Sequence, residues 1–198
     1  MESKSVKVLF LEDEPTIREV LTEYMKQSGG QKQRFTIIMV MMQDAPLTFY
    51  DEVTSGLDFE TRQKLMEKLV NWYADKKSGL CIVSHYYEEL ERIADKILIL
   101  DKGRVIDYGY KEELFRKYCG RAVIVFDAAP RYEALAGGYK RLASPAHLTA
   151  LAARDEAEER AITELLLANN VNYRRSGNDI EIMYSNAKKA YYGEESHE

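Results

Sequence analysis

The sequence predicts an α/β protein: a mostly parallel sheet with helices on both faces, followed by a small C-terminal α+β appendage. Two observations carry this expectation. Short apolar runs of four to six residues alternate with longer segments at helical spacing as far as Tyr118, the pattern of strand–helix–strand units. Beyond Gly120 the alternation gives way to one apolar run, a weakly patterned stretch rich in Ala, Gly and Pro, and one well-marked helix.

The elements follow in order. Val6-Lys-Val-Leu-Phe-Leu11 predicts a short buried strand, and the acids Glu12-Asp13-Glu14 follow it. Pro15 suits the first turn of a helix from Thr16 to about Lys26, with Ile17, Val20, Leu21 and Tyr24 on one face. Ser28-Gly29-Gly30 interrupts, and a second helix is expected from Gln31 to about Gln43. Leu47-Thr-Phe-Tyr50 predicts a strand ending on Asp51 and Glu52. A helix from about Phe59 to Lys76 should turn Leu65, Leu69 and Trp72 inward. Leu80-Cys-Ile-Val-Ser84 predicts the next strand, and Tyr87 to Ala94 a helix. Lys96–Leu100 and Arg104–Tyr108 flank the turn signal Asp101-Lys-Gly103, so a hairpin is expected, closed by a helix from Lys111 to Tyr118. In the appendage, Ala122–Phe126 predicts a strand and Asp155 to Asn169 a helix. The alternation of Asp179-Ile-Glu-Ile-Met-Tyr184 predicts a final strand.

Composition bounds the function. The 198 residues are 45% hydrophobic and 31% charged, the balance of a globular protein, and the formal net charge is −5. An acidic chain is poorly suited to nucleic acid or to an anionic membrane surface. No apolar run approaches the roughly 20 residues of a membrane-spanning helix, and the first residues carry no secretory pattern, so neither direct membrane insertion nor export is expected. Cys81 and Cys119 lack metal-ligand spacing and are expected to be reduced core thiols.

Four short motifs carry chemistry. In Ser28-Gly-Gly-Gln-Lys-Gln-Arg34, two glycines before a helix allow close backbone approach to an anion, which first-turn N–H groups and the helix dipole favour. Asp51-Glu52 places two carboxylates at a strand end, one suited to a hydrated Mg²⁺ and one to orienting water. Thr54-Ser-Gly-Leu-Asp58 is a tight turn with Asp58 near a helix cap. Val83-Ser-His85 puts a histidine at the end of the following strand.

In this order and spacing, residues 27–118 resemble the second half of an ABC transporter ATP-binding subunit. Gln27-Ser-Gly-Gly-Gln31 resembles the signature motif, Asp51-Glu52 the Walker B pair, Ser55-Gly-Leu-Asp58 the D-loop, His85 the switch histidine, and Ile97–Arg104 the hairpin beyond it. The resemblance implies a P-loop-NTPase-like sheet, ATP and Mg²⁺. It implies Asp51 as metal ligand, Glu52 as general base, and His85 as a contact to the γ-phosphate. Ser28, Gly29, Gly30 and Gln31 would meet the nucleotide held by a partner subunit, and Asp58 would communicate across that dimer. The implied partners are a membrane permease and a second ATPase subunit, or a second copy of this chain. The implied location is cytoplasmic, at the inner face of the cell membrane. Gln27 stands where Leu is usual, and Val53 where Pro is usual.

A larger departure lies upstream. The sequence contains no G-x-x-x-x-G-K-[ST], the Walker A phosphate cradle. Instead, Val8 to Leu21 resembles the opening of a response-regulator receiver domain, with Glu12 and Asp13 as its acidic pair. The expected organisation is a receiver-like strand–helix segment over 1–26, a partial ATPase domain over 27–119 and an accessory α+β region over 120–198. The expected activity is ATP hydrolysis, truncated and impaired by the missing cradle. Two alternatives accompany it: a receiver-like phosphoacceptor using Asp51, Ser84 and Lys102, and a catalytically inactive fusion fragment serving as a dimer partner.

Overall fold

A computed structural model describes residues 29–74, 76 and 78–195. The receiver-like segment at 6–26, Gln27 and Ser28 lie outside the described residues. The protein is mixed α/β, and the described residues form two compact units divided between Glu89 and Leu90.

The first unit is built on a parallel strand pair. Helix α1 spans Gly29–Met42 of the described residues. Strand β1 (Leu47–Asp51) is followed by α2 (Phe59–Ala74), which returns the chain to β2 (Gly79–Val83). β1 and β2 pair in parallel, from Leu47 opposite Gly79 to Asp51 opposite Val83, as a crossover helix between them requires. Along β1, Thr48 and Tyr50 are buried while Phe49 and Asp51 are exposed, the alternation of a pleated strand. On α2 the buried positions are Met66 and Leu69. Trp72, expected inside, is exposed, and the Lys76 ammonium lies 4.1 Å from its ring centroid. The inward stripe runs 66, 69, 73 at i, i+3, i+7 spacing, so Tyr73 faces the sheet in place of Trp72. The Tyr73 hydroxyl donates to Thr48 Oγ1 at 3.0 Å and lies 3.4 Å from the Tyr50 hydroxyl. Burial first, then that neighbouring phenol, pushes the Tyr50 hydroxyl well above the usual tyrosine range. Helix α3 (Tyr87–Ile93) spans the division between the units.

In the second unit, β3 (Lys96–Asp101) and β4 (Arg104–Tyr110) form an antiparallel hairpin. Lys102 and Gly103 both have positive φ, 49° and 75°, which suits a two-residue loop between right-twisted strands. Helix α4 (Lys111–Cys119) follows. The remaining strands, β5 (Ala122–Asp127), β6 (Arg141–Leu142), β7 (Leu148–Ala153) and β8 (Tyr173–Ser176), form one antiparallel sheet in the order β6-β7-β5-β8. A short 3₁₀ turn (Pro130–Tyr132) and α5 (Glu133–Ala136) join β5 to β6, and α6 (Glu156–Ala168) joins β7 to β8. This β-α-β-β-α-β path is ferredoxin-like, with its first helix reduced to a few turns. One sheet face, carrying Ala122, Ile124, Phe126, Leu151 and Ala153, packs with Ile162 and Leu166 of α6 in a dry core. Val123 and Val125 point the other way and are buried too, so β5 is a fully covered central strand. Cys119 is fully buried, and that desolvation pushes its thiol up to about 12; Cys81 is partly buried and unpaired.

Two sequence expectations fail here. Residues 179–184 form no strand: they open α7 (Ile180–Glu195). Asp179 accepts from the Ile182 amide at 3.0 Å and caps this helix. The six-residue alternation masked a helical stripe, for Ile180, Met183 and Ala187 are all buried. The stretch read as weakly patterned holds β6 and the start of β7, whose Ala-rich sequence, Leu-Thr-Ala-Leu-Ala-Ala, gives little strand signal.

Helix α7 is tied to the hairpin turn through Asp101. Tyr184, Lys188 and Tyr192, spaced four apart on one helix face, reach its carboxylate at 3.2, 2.8 and 2.8 Å. The Lys188 ammonium first, then the Tyr192 hydroxyl, holds the Asp101 carboxyl below the usual carboxylate range. A depressed folded-state value means that this stabilisation is present above the unfolded value and lost as pH falls through the folded one. Asp101→Asn should therefore lower the urea midpoint at neutral pH, and the gap from wild type should close below about pH 3.9, where the unfolded carboxyl protonates.

A second prediction concerns Gly120, which ends α4 with φ 84°. A Cβ there would stand 2.8 Å from the Ala153 carbonyl oxygen. Gly120→Ala combines left-handed backbone strain with a clash against fixed main chain. It should destabilise the second unit by about 1–3 kcal/mol in urea unfolding.

Candidate functional site

The parallel pairing of β1 and β2 brings the ends of both strands together. Asp51 closes β1 and is exposed. At Glu52 the chain turns sharply: its φ is 45°, its amide donates to the Val83 carbonyl at 2.9 Å, and its own carbonyl accepts from the Ser55 amide at 2.9 Å. A non-glycine residue in the left-handed region costs of order 1–3 kcal/mol and is tolerated where surroundings fix it, most often at functional sites. The turn aims the Glu52 side chain along the sheet end toward His85, two residues past β2. Glu52 Oε1 and His85 Nδ1 are 3.2 Å apart, and both side chains are about half exposed. A carboxylate only accepts, so the contact assigns the proton to Nδ1 and leaves Nε2 for a second partner. The His85 ring also rests on Tyr86, with centroids 4.2 Å apart.

Asp58 lies beyond the turn, at the start of α2. Its Oδ1 accepts the Thr61 amide at 2.9 Å, which caps the helix. That backbone donor is the foremost cause holding the Asp58 carboxyl below its usual range. Gly29, Gly30 and Gln31 lie on α1, a different element from the Glu52–His85 pair.

Behind the pair sits a residue that sequence reasoning passed over. Glu89, its side chain 9% exposed, takes three partners from three segments. Oε2 accepts from Thr54 Oγ1 at 3.1 Å and from Ser84 Oγ at 3.2 Å. Arg62 Nε of α2 stands 3.2 Å from Oε1, an ion pair without hydrogen-bond alignment. The Arg62 guanidinium also covers the Tyr86 ring at 3.8 Å. Ser84 Oγ further accepts the Tyr86 amide at 3.0 Å, so the hydroxyl considered for a phosphoacceptor site serves the loop that carries His85. In sequence, Glu88-Glu89 resembles an ordinary acidic first helical turn, and no spacing links it to Thr54 or Arg62.

Among the described residues, no group of three or more His, Cys, Asp or Glu side chains is placed to hold a metal by itself. The donor set nevertheless suits Mg²⁺, which takes one or two carboxylates and completes its shell with water and substrate phosphates. Among the described residues, no helix is long and apolar enough to cross a membrane.

No family profile matches the chain. It is 34% identical over 90 residues to the energy-coupling factor transporter ATP-binding protein EcfA2 of Caldanaerobacter subterraneus subsp. tengcongensis, a match covering 46% of this chain and 32% of that protein. It is 32% identical over 111 residues to the phosphate import ATP-binding protein PstB of Aeropyrum pernix, covering 56% of this chain and 43% of that one. A solved structure of an ATP-binding subunit of an ABC transporter is 28% identical, covers 52% of this chain and 45% of its own, and has a TM-score of 0.43. The chain thus spans less than half the length of these curated relatives. Over about half of this chain, the homologues are ABC transporter ATP-binding proteins.

Proposed function

We propose that this chain is an ATP-binding, ATP-hydrolysing subunit of an ABC transporter, with impaired turnover. The observation that carries the reading is the Glu52–His85 contact of 3.2 Å at the carboxyl ends of two parallel strands, with Asp51 beside it. Glu52 is held in a strained turn with its carboxylate exposed, where it takes a proton from an attacking water. His85 donates Nδ1–H to Glu52, which orients the imidazole; as the doubly protonated imidazolium it also presents an Nε2–H donor to a γ-phosphate oxygen. Asp51 would hold Mg²⁺, which would supply neutralisation of phosphate charge. Ser28, Gly29, Gly30 and Gln31 meet the nucleotide of a second ATPase subunit or second copy, and Asp58 lines the contact between them.

The reading extends to the surroundings. Residues 27–119 supply the ATPase part and 120–198 an accessory module, with 1–26 as a receiver-like segment. The partner is a membrane permease, and the location is the cytoplasmic face of its membrane. Turnover is impaired because the sequence carries no glycine–lysine phosphate cradle.

Mg·ATP binding measured by calorimetry and phosphate release measured in parallel test the proposal. Weak but saturable binding is expected at millimolar nucleotide, with slow hydrolysis. Glu52→Gln should cut turnover by about 10²–10⁴-fold while leaving nucleotide affinity within a few fold. Unchanged turnover in that variant removes Glu52 as the base. An absence of binding at millimolar Mg·ATP removes the ATPase reading altogether.

A further inference from the structure

We propose that Glu89 is a positioning residue for the Glu52–His85 pair, acting by clamping the two loops that present it. The inference rests on the functional reading above for its purpose, and on geometry alone for its substance.

Glu52 and His85 sit on separate loops, and each loop carries one hydroxyl close by in sequence: Thr54 two residues after Glu52, and Ser84 immediately before His85. Both hydroxyls donate to the same oxygen, Glu89 Oε2, at 3.1 and 3.2 Å. Thr54 is 1% exposed, so it has no ready solvent replacement for that acceptor. Arg62 then fixes the carboxylate from the α2 side at 3.2 Å, while its guanidinium lies over Tyr86. The Glu52 loop, the His85 loop and α2 thus converge on one mostly buried carboxylate. Without it, the half-exposed Glu52–His85 contact would depend on two side chains free to move into water, and exposed pairs of that kind hold weakly.

The clamp predicts a spectroscopic signature that bulk stability would not produce. Held against Glu52, neutral His85 carries its proton on Nδ1, whereas an unconstrained imidazole prefers Nε2–H. The full chain is labelled with ¹⁵N-imidazole histidine, and His85 is assigned among the three histidines by its loss in His85→Gln. The tautomer is then read at a pH where the rings are neutral. Wild type should show the Nδ1–H pattern for His85. Glu89→Ala should lose it and shift to Nε2–H. Glu89→Gln should keep it in part, since an amide oxygen in the place of Oε2 still accepts both hydroxyls while the NH2 in the place of Oε1 faces the Arg62 N–H donor. The double variant Thr54→Val/Ser84→Ala removes both links without touching Glu89, and with them the Ser84 bond to the Tyr86 amide, and should shift as Glu89→Ala does; it decides the matter if Glu89→Ala does not fold.

An Nε2–H pattern in wild type overturns the proposal. So does an Nδ1–H pattern that survives in folded Glu89→Ala or in the double variant. Mg·ATP binding by wild type is measured alongside. Absent binding with the tautomer shift intact removes the ATPase reading and keeps the clamp; binding with no tautomer shift does the reverse.

Discussion

The candidate site depends on one strand register. β1 and β2 run parallel with Asp51 opposite Val83, and the ladder continues one bond past the end of β1, from the Glu52 amide to the Val83 carbonyl. That bond places the turn at Glu52 against the end of β2, and His85 follows two residues later. A slip of one residue would send Glu52 to the other face of the sheet, because side chains alternate with a period of two. The buried Thr48 and Tyr50 oppose such a slip, since moving them would break their hydroxyl contacts with Tyr73 and bury the Asp51 carboxylate in their place.

The packing beneath the strands serves the same register. Met66, Leu69 and Tyr73 form the α2 stripe that covers the pair, and Tyr73 joins Thr48 and Tyr50 through their hydroxyls. Full burial of a side chain such as Leu69 contributes about 1.5–3 kcal/mol, more than a hydroxyl–hydroxyl bond at about 1 kcal/mol. Burial therefore holds the helix down, and the hydroxyl bonds select which residues face which. In the second unit the same division of labour recurs. A dry sheet–helix core supplies the stability, and the polar Asp101 cluster fixes where α7 meets the hairpin.

Much of this was legible in the sequence, for identifiable reasons. The two strand ends, at Asp51 and within one residue of Val83, are visible because short apolar runs stop there at charged or polar residues. The Lys102-Gly103 turn was visible because few sequences adopt two successive positive φ angles without a glycine. The α7 error came from a six-residue window too short to separate a period of 2 from a period of 3.6; only Ala187, further along, breaks the tie. The sequence predicts Trp72 inward with Leu65 and Leu69, whereas the buried Met66 and Leu69 set a phase that Tyr73 continues. Glu89 was invisible because its partners lie 35, 27 and 5 residues away in sequence, on segments joined only by the tertiary fold.

The most direct test of the central register is a through-hydrogen-bond scalar coupling experiment on the ¹⁵N,¹³C,²H-labelled chain. It asks which carbonyl accepts the Glu52 amide. The parallel register gives a cross-peak from the Glu52 ¹⁵N to the Val83 ¹³C′, with slow amide exchange at Glu52. A coupling to Ile82 or Ser84 instead, or an amide that exchanges freely with no partner, would contradict the register that brings Glu52 to His85.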